Sequence, residues 1–309
     1  MIHKFTKFAL YFNKKKYWTL SDNDTLNIES VSGLYFLNLK DRLEDKHYNK
    51  FDKNGLPLRF VNGKVSYNYT TICSYALANW QLYLESGDKK HTVPLLNAID
   101  YLYKTGSSTE YCDSGVFLYS GNLSAINQGQ ALSILARAYE INKNENYIEF
   151  AKKIILPFEV LIENRGVKAH FKTVNNVFWY EEYPQTPPKH VLNGMIYSLI
   201  GLREIYQVMP QLKIAKDLFD QGVTYVEKTL HLFDTGKWSW YWVAEGDFNY
   251  KASAMYHNLH ICQLKHLYNL TGNIIFSEYA NRFESYSQKR SNKLLAGFAL
   301  LKNKIRLLN

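Results

Sequence analysis

Apolar residues recur at a helical spacing along most of the chain. The first clear stripe begins at Ile72, continues through Tyr75 and Leu82, and stops at Ser86-Gly87-Asp88, which indicates a helix end. Similar stripes predict further helices over residues 93–102, 124–142, 147–164, 190–208, 211–230, 256–270 and from 275 to the C-terminus. Consecutive helices form pairs of about 35 to 45 residues, a spacing typical of helical hairpins.

Short segments with β character separate these helix pairs. One spans residues 166–183 and turns at Asn175-Asn176, and another spans 233–242 and contains Asp234-Thr235-Gly236. Loops and short strands between helical hairpins are where cleft-lining residues are expected, because connecting segments carry most binding residues.

The N-terminal part of the chain has a different character. Residues 1 to about 50 predict polar, charged helical segments, and a hairpin with its second turn at Asn62-Gly63 follows. We therefore expect an N-terminal helical arm and hairpin over residues 1–66, and an (α/α) barrel over residues 67–309. The fold class is mostly α, with about four helical hairpins closed into a barrel and short β-hairpins lining its cleft. No strong sequence repeat favours an open solenoid.

The composition narrows the class of partner. The 309 residues are 46% hydrophobic and 21% charged, as in an ordinary soluble globular protein, and they carry a formal net charge of +9. This charge favours an acidic polysaccharide, an anionic membrane surface or nucleic acid, but we find no nucleic-acid-binding motif. The 25 tyrosines suit a carbohydrate cleft, although an AT-rich genome explains such a count equally well.

Cysteine usage and the N-terminal residues indicate a reducing compartment. Cys73, Cys112 and Cys262 are far apart and show no CxxC spacing, so neither a disulfide framework nor a zinc knuckle is predicted. Residues 1–20 lack the continuous apolar stretch of a signal peptide, and no segment is long enough to span a membrane. We expect a cytoplasmic protein.

The most unusual local sequence is Phe178-Trp179-Tyr180-Glu181-Glu182-Tyr183-Pro184. Carboxylates need solvent or hydrogen-bond donors while aromatic rings favour burial, so this combination is typical of the wall of a wet cleft. Neighbouring residues of a strand point to opposite faces, so Glu181 and Glu182 are not expected to flank one bond together. We expect Glu182 to face the cleft with Tyr183 nearby. Trp179 and Glu181 are candidate substrate contacts.

Other candidate substrate contacts also have structural interpretations. His257 and His260 lie three positions apart on one helix face, but no third ligand is adjacent. We therefore predict no metal site, and favour substrate contact or helix-end hydrogen bonding. Asn193, near a helix start, is either a cap or a sugar contact. Gln128 and Gln130, separated by a glycine, either reach sugar hydroxyls or pack internally.

A collinear set of motifs runs through this region. The stretches are Asn127-Gln128-Gly129-Gln130, Gly166-Val167-Lys168-Ala169, Trp179-Tyr180-Glu181-Glu182-Tyr183-Pro184, Leu192-Asn193-Gly194, Leu232-Phe233-Asp234-Thr235-Gly236 and Tyr256-His257-Asn258-Leu259-His260. In order and spacing they resemble the C-terminal catalytic domain of the D-glucuronyl C5-epimerase family, whose members act on heparosan and heparan sulfate. The resemblance covers roughly residues 50 to 280.

The resemblance implies C5 epimerisation of uronic acid residues in an acidic polysaccharide or glycan, without a cofactor and in a homodimer. In this family a proton is removed next to a carboxylate and returned on the opposite face of the ring. The residues that match the implicated positions are Tyr183, Tyr241 and Tyr256 for proton transfer, with Glu182 tuning them or participating. Since a free tyrosine ionises near pH 10, a tyrosine base needs cationic neighbours or a hydrogen-bond relay.

Two positions depart from the family pattern. Ala244 and approximately Ser253 stand where the family carries arginines, which are natural bidentate partners of a carboxylate. Candidate replacements for this positive charge are Lys189, Lys237, Lys251 and His257.

Three classes of function stay open at this point. The first is the epimerase. The second is a uronate lyase or a glycoside hydrolase on the same scaffold, where Asp234 or Glu245 would supply a second carboxylate for hydrolysis. The third is a non-catalytic glycan-binding protein.

The C-terminal stretch 293–309 alternates apolar residues with Lys302, Lys304 and Arg306. It is interpreted either as a final barrel helix with a solvated basic face or as a peripheral contact with the anionic inner face of a membrane.

Overall fold

The computed structural model describes residues 18–21, 30–44, 48–61, 64–106, 118–119, 122–246 and 248–306. Some sequence expectations lie outside these residues: the helical segments of 1–17, the turn at Asn62-Gly63, Cys112, most of the 106–121 loop, and the basic side chains of Lys302, Lys304 and Arg306.

Nine helices of ten or more residues make up most of the described part of the chain. They are α1 Tyr69–Ser86, α2 Val93–Gly106, α3 Ala125–Asn142, α4 Asn146–Ile155, α5 Leu192–Val208, α6 Lys213–Thr229, α7 Ala254–Thr271, α8 Ile274–Gln288 and α9 Arg290–Arg306. Sequence signals define several of their ends. The side chain of Asn68 caps α1 by accepting from the Thr71 backbone N–H, and Gly87 ends it with a φ of +70°.

Helices α1, α3, α5 and α7 form the inner layer, and each is followed by an outer helix. All residues of α3 from Ala125 to Ala138 are buried, whereas α6 buries only one stripe that includes Ala215, Leu218 and Gly222. Adjacent inner helices contact one another from α1 to α7 in chain order. The result is four helical hairpins with their apolar faces turned to a common core, as the periodicity predicts.

The closest helix pair is α3 with α5, and glycine makes this approach possible. A Cβ atom on Gly201 would lie 2.0 Å from the carbonyl oxygen of Gly129, and one on Gly129 would lie 2.6 Å from the Cα of Ser198. Any larger residue at either position would separate the two helices. Gly129 and Gly201 therefore let two inner helices meet backbone to backbone.

Short strands directly precede the inner helices. They are β2 Lys64–Ser66 before α1, β4 Asn122–Leu123 before α3, β7 Lys189–Val191 before α5 and β9 Tyr250–Lys251 before α7. The N-terminal ends of the inner helices therefore share one side of the barrel with the β structure. The antiparallel pairs β1–β2 and β3–β4 are local hairpins, with β1 spanning Arg59–Val61 and β3 spanning Leu118–Tyr119.

Two further pairings build the wall of the cleft. Strand β5, Lys168–His170, pairs antiparallel with β6, Phe178–Tyr180. Strand β8, Trp240–Ala244, lies between β7 and β9 in a three-stranded antiparallel sheet. The pairing of β7 with β8 joins segments about 50 residues apart, which a pattern-based prediction of local hairpins does not reveal.

Residues 30–44 pack into the barrel core rather than standing apart from it as an arm. Tyr35 and Phe36 are each 1% exposed and belong to the main hydrophobic cluster. The described part of this segment is irregular apart from one helical turn, Asp41–Glu44. Its burial differs from the polar helical arm that was expected, because residues 31–39 are mostly apolar and carry no charged side chain.

Trp18 and residues 30–44 together bridge the first and last inner helices. The Gly33 carbonyl accepts a hydrogen bond from the Trp80 indole on α1 at 3.2 Å. On the other side, the Trp18 backbone N–H donates to Asn258 Oδ1 on α7 at 2.7 Å, and Phe36 stacks on His266. The gap between α7 and α1 is thus filled by the N-terminal residues.

The prediction of a mostly helical (α/α) barrel with four hairpins and short β-hairpins is confirmed. One helix is shorter than expected: α4 ends at Ile155 rather than near Asn164, because Pro157 opens a 3₁₀ turn that replaces the α-helical path. None of the described helices is both long and apolar enough to cross a lipid bilayer.

Candidate active site

The candidate site is centred on Glu182, two residues beyond β6 and beside the first turns of α3 and α5. Glu182 is 5% exposed. Its Oε1 accepts a hydrogen bond from the Tyr241 hydroxyl on β8 at 3.1 Å, and its Oε2 accepts one from the Asn193 Nδ2 on α5 at 3.3 Å. Three segments distant in sequence therefore meet at one buried carboxylate.

The environment of Glu182 shifts its proton equilibrium towards neutrality. Burial raises the pKa of Glu182 from 4.5 to about 7, although hydrogen bonds from Tyr183, Tyr241 and Asn193 oppose the rise. Such a carboxyl group is populated in both protonation states near pH 7. This is the property that general acid–base catalysis requires, because the best catalytic pKa lies near the operating pH.

The backbone around Glu182 is fixed by the starts of two inner helices. The Ser124 hydroxyl donates to the Glu182 carbonyl at 2.8 Å, and the Ala125 N–H donates to the Glu181 carbonyl at 2.9 Å. On α5, a Cβ atom at Gly194 would lie 2.8 Å from Glu182 Oε2. Glycine at this position therefore leaves the room that the carboxylate occupies.

Aromatic rings form one side of the site. Tyr241 and Tyr256 lie with their ring centroids 4.5 Å apart, and Trp242 stacks on Tyr250 at the same separation. Tyr183 and Tyr256 are half-buried and pack against the small apolar cluster that contains Tyr241. The three tyrosines singled out in the sequence thus lie in one cluster beside Glu182.

Tyr241 is held in its protonated form. Burial raises the pKa of Tyr241 well above its ordinary value, and the negative charge of Glu182 raises it further. At neutral pH its hydroxyl is therefore a hydrogen-bond donor to Glu182. A proton can move along this contact between the carboxylate and the phenol oxygen.

Glu181 points to a different set of partners. It is fully buried, and its Oε1 lies 2.6 Å from His190 Nδ1, while the His190 Nε2 lies 3.4 Å from Glu245 Oε1. Burial alone would lower the pKa of His190, but the charge and hydrogen bonds of Glu181 and Glu245 raise it overall. The His190 ring thus lies between two carboxylates, one facing each ring nitrogen. The two adjacent glutamates face separate networks, as expected for neighbours after a strand.

His257 and His260 are structural in this arrangement. His257 stacks on Trp238 at 3.8 Å, its Nε2 donates to the Phe283 carbonyl at 2.9 Å, and its Nδ1 lies 2.8 Å from Ser239 Oγ. His260 Nδ1 lies 3.0 Å from the same hydroxyl. Burial lowers the pKa of His257 to about 3, so it supplies no positive charge at neutral pH. Among the described residues, no group of His, Cys, Asp and Glu is arranged to hold a metal ion.

Three of the other sequence candidates are also buried. The Gln128 amide donates to the Ile154 carbonyl at 2.9 Å, and the Trp179 indole donates to the Val191 carbonyl at 3.2 Å. Both side chains are 0% exposed. Gln130 is 4% exposed, and within the described residues its Oε1 accepts no hydrogen bond. The geometry gives Gln128 and Trp179 packing roles.

Asn193 departs from the simpler of its two expectations, which was helix capping. Val191 occupies the cap position of α5, and the Asn193 amide contacts Glu182 instead. Sequence reasoning also missed His190 and Ser239, which organise the two networks around the site. The available signal was position, because His190 lies two residues before the start of α5 and Ser239 lies within the conspicuous Trp238–Trp242 segment.

The two positions that lack a family arginine have defined structures. Ala244 lies on β8 opposite Lys189 of β7, whose Nζ is 5.2 Å from the Trp242 ring centroid. Ser253 caps α7, since its hydroxyl accepts from the Tyr256 backbone N–H at 3.3 Å. Neither position can hold an anion with its own side-chain charge.

Known proteins with similar sequences include the following two. The chain is 30% identical over 233 residues to a D-glucuronyl C5-epimerase of Caenorhabditis elegans, covering 71% of this chain and 35% of that protein. It is 28% identical over 167 residues to an uncharacterized protein of Methanocaldococcus jannaschii, covering 54% of this chain and 53% of that protein. The chain thus spans about a third to a half of the length of these relatives.

Solved structures share the fold at low sequence identity. An α-1,6-mannanase of Salegentibacter sp. HEL1_6 superposes with a TM-score of 0.58 at 14% identity, covering 80% of this chain and 69% of that chain. Its inactive variant in complex with α-1,6-mannotriose gives a TM-score of 0.56 at 15% identity, with the same coverage. At such identity the likeness concerns the barrel alone.

A family model places the chain more specifically. The model described as D-glucuronyl C5-epimerase C-terminus matches residues 100–285, a segment that includes β6, β8 and the inner helices α3, α5 and α7. Because this match covers more than half of the sequence, the chain belongs to the D-glucuronyl C5-epimerase C-terminal family.

Proposed function

We propose that this protein epimerises C5 of a uronic acid residue within a polysaccharide or glycan. The observation that carries the proposal is Glu182: a buried carboxyl group with a pKa of about 7, hydrogen-bonded to Tyr241 and flanked by Tyr183 and Tyr256. Family membership supplies the class of reaction, and the site supplies groups that can carry it out.

The reaction breaks the C5–H bond and later forms it on the other face of the ring. The proton goes to a base, and the electron pair moves into the adjacent carboxylate to give an enediolate-like intermediate. A proton from an acid on the opposite face then restores C5. No net oxidation occurs, so no redox cofactor is needed, but two proton-transfer groups must flank the ring.

In our assignment Glu182 is the base, acting directly or through Tyr241. Tyr241 keeps its own proton at neutral pH, so it is poorly suited to be the initial base and well suited to relay a proton to Glu182. Tyr183 and Tyr256 are half-buried members of the same cluster, and we assign the opposite acid to one of them. This gives Glu182 a more direct role than tuning the tyrosines.

The proposed substrate is an acidic polymer or glycan that contains glucuronate. The net charge of +9 supports an acidic substrate, and the relative from Caenorhabditis elegans is named as a D-glucuronyl C5-epimerase. A cytoplasmic homodimer and contact with the inner face of a membrane are further parts of the proposal. The exposed apolar side chains of Leu294, Leu295 and Phe298 on α9 support the proposed membrane contact.

A glycan hydrolase is the second candidate, because α-1,6-mannanases share the barrel. Two consecutive glutamates precede Tyr183, but Glu181 is turned to His190 and away from the partners of Glu182. This division favours proton transfer by Glu182 over a paired-carboxylate hydrolysis. A uronate lyase would share the first proton abstraction, and a glycan-binding protein would use the aromatic wall without chemistry.

Incubation of a heparosan polymer with the protein in D₂O tests these classes. We expect deuterium at C5 together with formation of iduronate, detected by NMR after complete depolymerisation. An unsaturated product that absorbs in the near ultraviolet would identify a lyase, and shortened chains without C5 label would identify a hydrolase. Binding without any of these changes would leave a glycan-binding protein. A panel of glucuronate polymers that all fail to exchange would contradict the epimerase.

A further inference from the structure

The chemistry of the proposed site requires a positive charge that none of the described side chains hydrogen-bonded to Glu182 supplies. Tyr241 and Asn193 are neutral donors, whereas removal of the C5 proton leaves a second negative charge on the substrate carboxylate. A fixed cation close to that carboxylate would stabilise the intermediate more than the ground state. The basic side chains around the site differ in the part of the barrel from which they come.

Two lysines near the site belong to β7 and β9, the edge strands of the three-stranded sheet. Lys189 on β7 lies 5.2 Å from the Trp242 ring centroid, and Lys251 on β9 lies 5.3 Å from that of Trp240. Arg42 has a different origin, because it comes from the N-terminal segment that fills the gap between α7 and α1. Its guanidinium carbon lies 3.7 Å from the Trp18 ring centroid, and its side chain is half-buried.

The backbone of Trp18, the residue on which Arg42 stacks, is bound to α7. The Trp18 backbone N–H donates to Asn258 at 2.7 Å, and its carbonyl accepts from the Cys262 thiol at 3.6 Å. Both partners lie in the N-terminal half of α7, which also carries Tyr256 in its first turn. The Trp18 ring on which Arg42 stacks therefore belongs to a residue bound to the half of α7 that begins at the candidate site, while the Lys40 backbone N–H, two residues before Arg42, donates to Gln81 on α1.

A second observation comes from α5, on the other side of the same end. Tyr197 is 6% exposed and lies one turn beyond Asn193, the residue that contacts Glu182. Burial is the main reason why the pKa of Tyr197 is raised. The positive charge of Arg42 opposes this rise, and the charges of Tyr256 and Glu182 add to it. One hydroxyl group is thus within electrostatic reach of Arg42, Tyr256 and Glu182 together.

We propose that Arg42 binds the carboxylate of the uronate residue on which Glu182 acts. This proposal rests on the proposed function for the identity of the ligand. A guanidinium group can donate two parallel hydrogen bonds to a carboxylate, and stacking on Trp18 holds its plane in one orientation. The N-terminal segment then contributes a specificity-determining residue to the site in addition to closing the barrel.

The test compares a heparosan oligosaccharide with its carboxyl-reduced counterpart by calorimetric titration. The unmodified protein is expected to bind the acidic form about 10- to 100-fold more tightly, as the loss of charge-assisted hydrogen bonds implies. Arg42→Gln should remove most of this preference while leaving affinity for the reduced form unchanged. Arg42→Lys, which keeps the charge and most of the packing, should retain part of it.

Two variants serve as controls. Arg59→Gln removes the same charge from an exposed position on β1 and should keep the full preference. Lys189→Gln tests the rival cation. Melting temperatures identify any variant that fails to fold, and Arg42→Lys decides the question if Arg42→Gln is one of them.

Three results would overturn the assignment of Arg42. They are an unmodified protein with no preference for the acidic form, an Arg42→Gln or Arg42→Lys variant with the full preference, and a preference that only Lys189→Gln abolishes. Deuterium exchange in the same samples separates this assignment from the proposed function. Exchange with an unaffected Arg42→Gln preference would refute Arg42 alone, and an Arg42-dependent preference without exchange would refute the epimerase alone.

Discussion

Two glutamates at opposite ends of the barrel, Glu182 buried and Glu204 half-buried, have contrasting partners. Glu204, in the last part of α5, receives two hydrogen bonds from the Arg137 guanidinium at 2.8 and 3.0 Å. Glu182, which follows β6 and lies beside the first turns of α3 and α5, receives hydrogen bonds from the neutral side chains of Tyr241 and Asn193. The first carboxylate has a compensating charge, while the second is buried without one among its contacts in the described part of the chain.

The surroundings of the two glutamates explain this contrast. Four polar side chains lie at the same level, each twelve positions beyond the first residue of an inner helix: Gln81 in α1, Arg137 in α3, Glu204 in α5 and His266 in α7. At 1.5 Å per residue this level is about 18 Å from the helix starts. Tyr35 and Phe36 pack among these groups and close that end.

The barrel therefore uses carboxylates for different purposes at its two ends. At the closed end, an ion pair satisfies the charge and ties α3 to α5. At the other end, half-buried tyrosines surround Glu182, and burial raises its pKa to about 7. A carboxyl group held by neutral donors can gain and lose a proton near neutral pH, whereas one held by arginine is an anchor.

The largest expected effect is the loss of activity when Glu182 is replaced. In Glu182→Gln the group can no longer accept a proton, so C5 exchange should fall by about 10²- to 10⁴-fold. The measurement is the initial rate of deuterium incorporation into a uronate polymer. Glu149→Gln, which removes an exposed carboxylate on α4, is the matched control and should exchange at the unmodified rate. Undiminished exchange in Glu182→Gln would remove it from the mechanism.

Breaking the ion pair at the closed end should affect stability instead. Glu204→Leu leaves the Arg137 guanidinium buried and unpaired, and we expect it to lower the free energy of unfolding by about 3–5 kcal/mol. Chemical denaturation provides the measurement. The double variant Arg137→Met/Glu204→Leu should recover most of this loss, because it removes both charges. A single variant as stable as the unmodified protein would show that the pair is not an anchor.

Removal of the Tyr241 hydroxyl should produce a smaller change in rate with a distinctive pH dependence. Tyr241→Phe loses a hydrogen bond to a charged group, worth about 1.5–3 kcal/mol, so exchange should fall by about 10- to 100-fold. Since that bond lowers the pKa of Glu182, its loss should move the rise of exchange rate with pH to higher pH. A pH–rate profile measures both effects, and an unshifted profile would argue against the contact.

The smallest expected effect is on the pH dependence of stability. Folding raises the pKa of Glu182 from 4.5 to about 7, so folding favours its protonated form. Its stabilising contribution is complete below pH 4.5 and is lost as pH rises through 7, by at most about 3 kcal/mol. Relative to Glu182→Gln, the unmodified protein should therefore become less stable over this range. A constant difference in unfolding free energy between pH 4 and 8 would contradict the shift.

Much of the barrel was predictable from sequence because its signals are local. The apolar stripe from Ile72, the Gly87 helix end and the Asn175-Asn176 turn each depend on neighbouring residues. The burial of Tyr35 and Phe36 was missed because their partners, such as Arg137 and His266, lie far along the chain, although residues 31–39 carry no charged side chain. The pairing of β7 with β8 was missed for the same reason.

The candidate site was predictable in its residue types but not in its electrostatics. An aromatic stretch with two carboxylates indicates a cleft, and family motifs indicate which tyrosines to consider. The pKa of Glu182 depends on the burial produced when α3, α5 and β8 converge, and no local pattern contains that information. The separate role of Glu181 likewise depends on His190, whose contact forms only in the folded chain.

The most direct test of the central claim is the titration of Glu182 itself. The side-chain carboxyl carbons of the ¹³C-labelled protein can be followed by NMR from pH 4 to 9, with Glu182→Gln used to assign the resonance. We expect the signal that is missing from the variant to titrate with a pKa of about 7. A midpoint near the ordinary value of 4.5 would contradict the account, because Glu182 would then be a stable anion rather than a group suited to proton transfer.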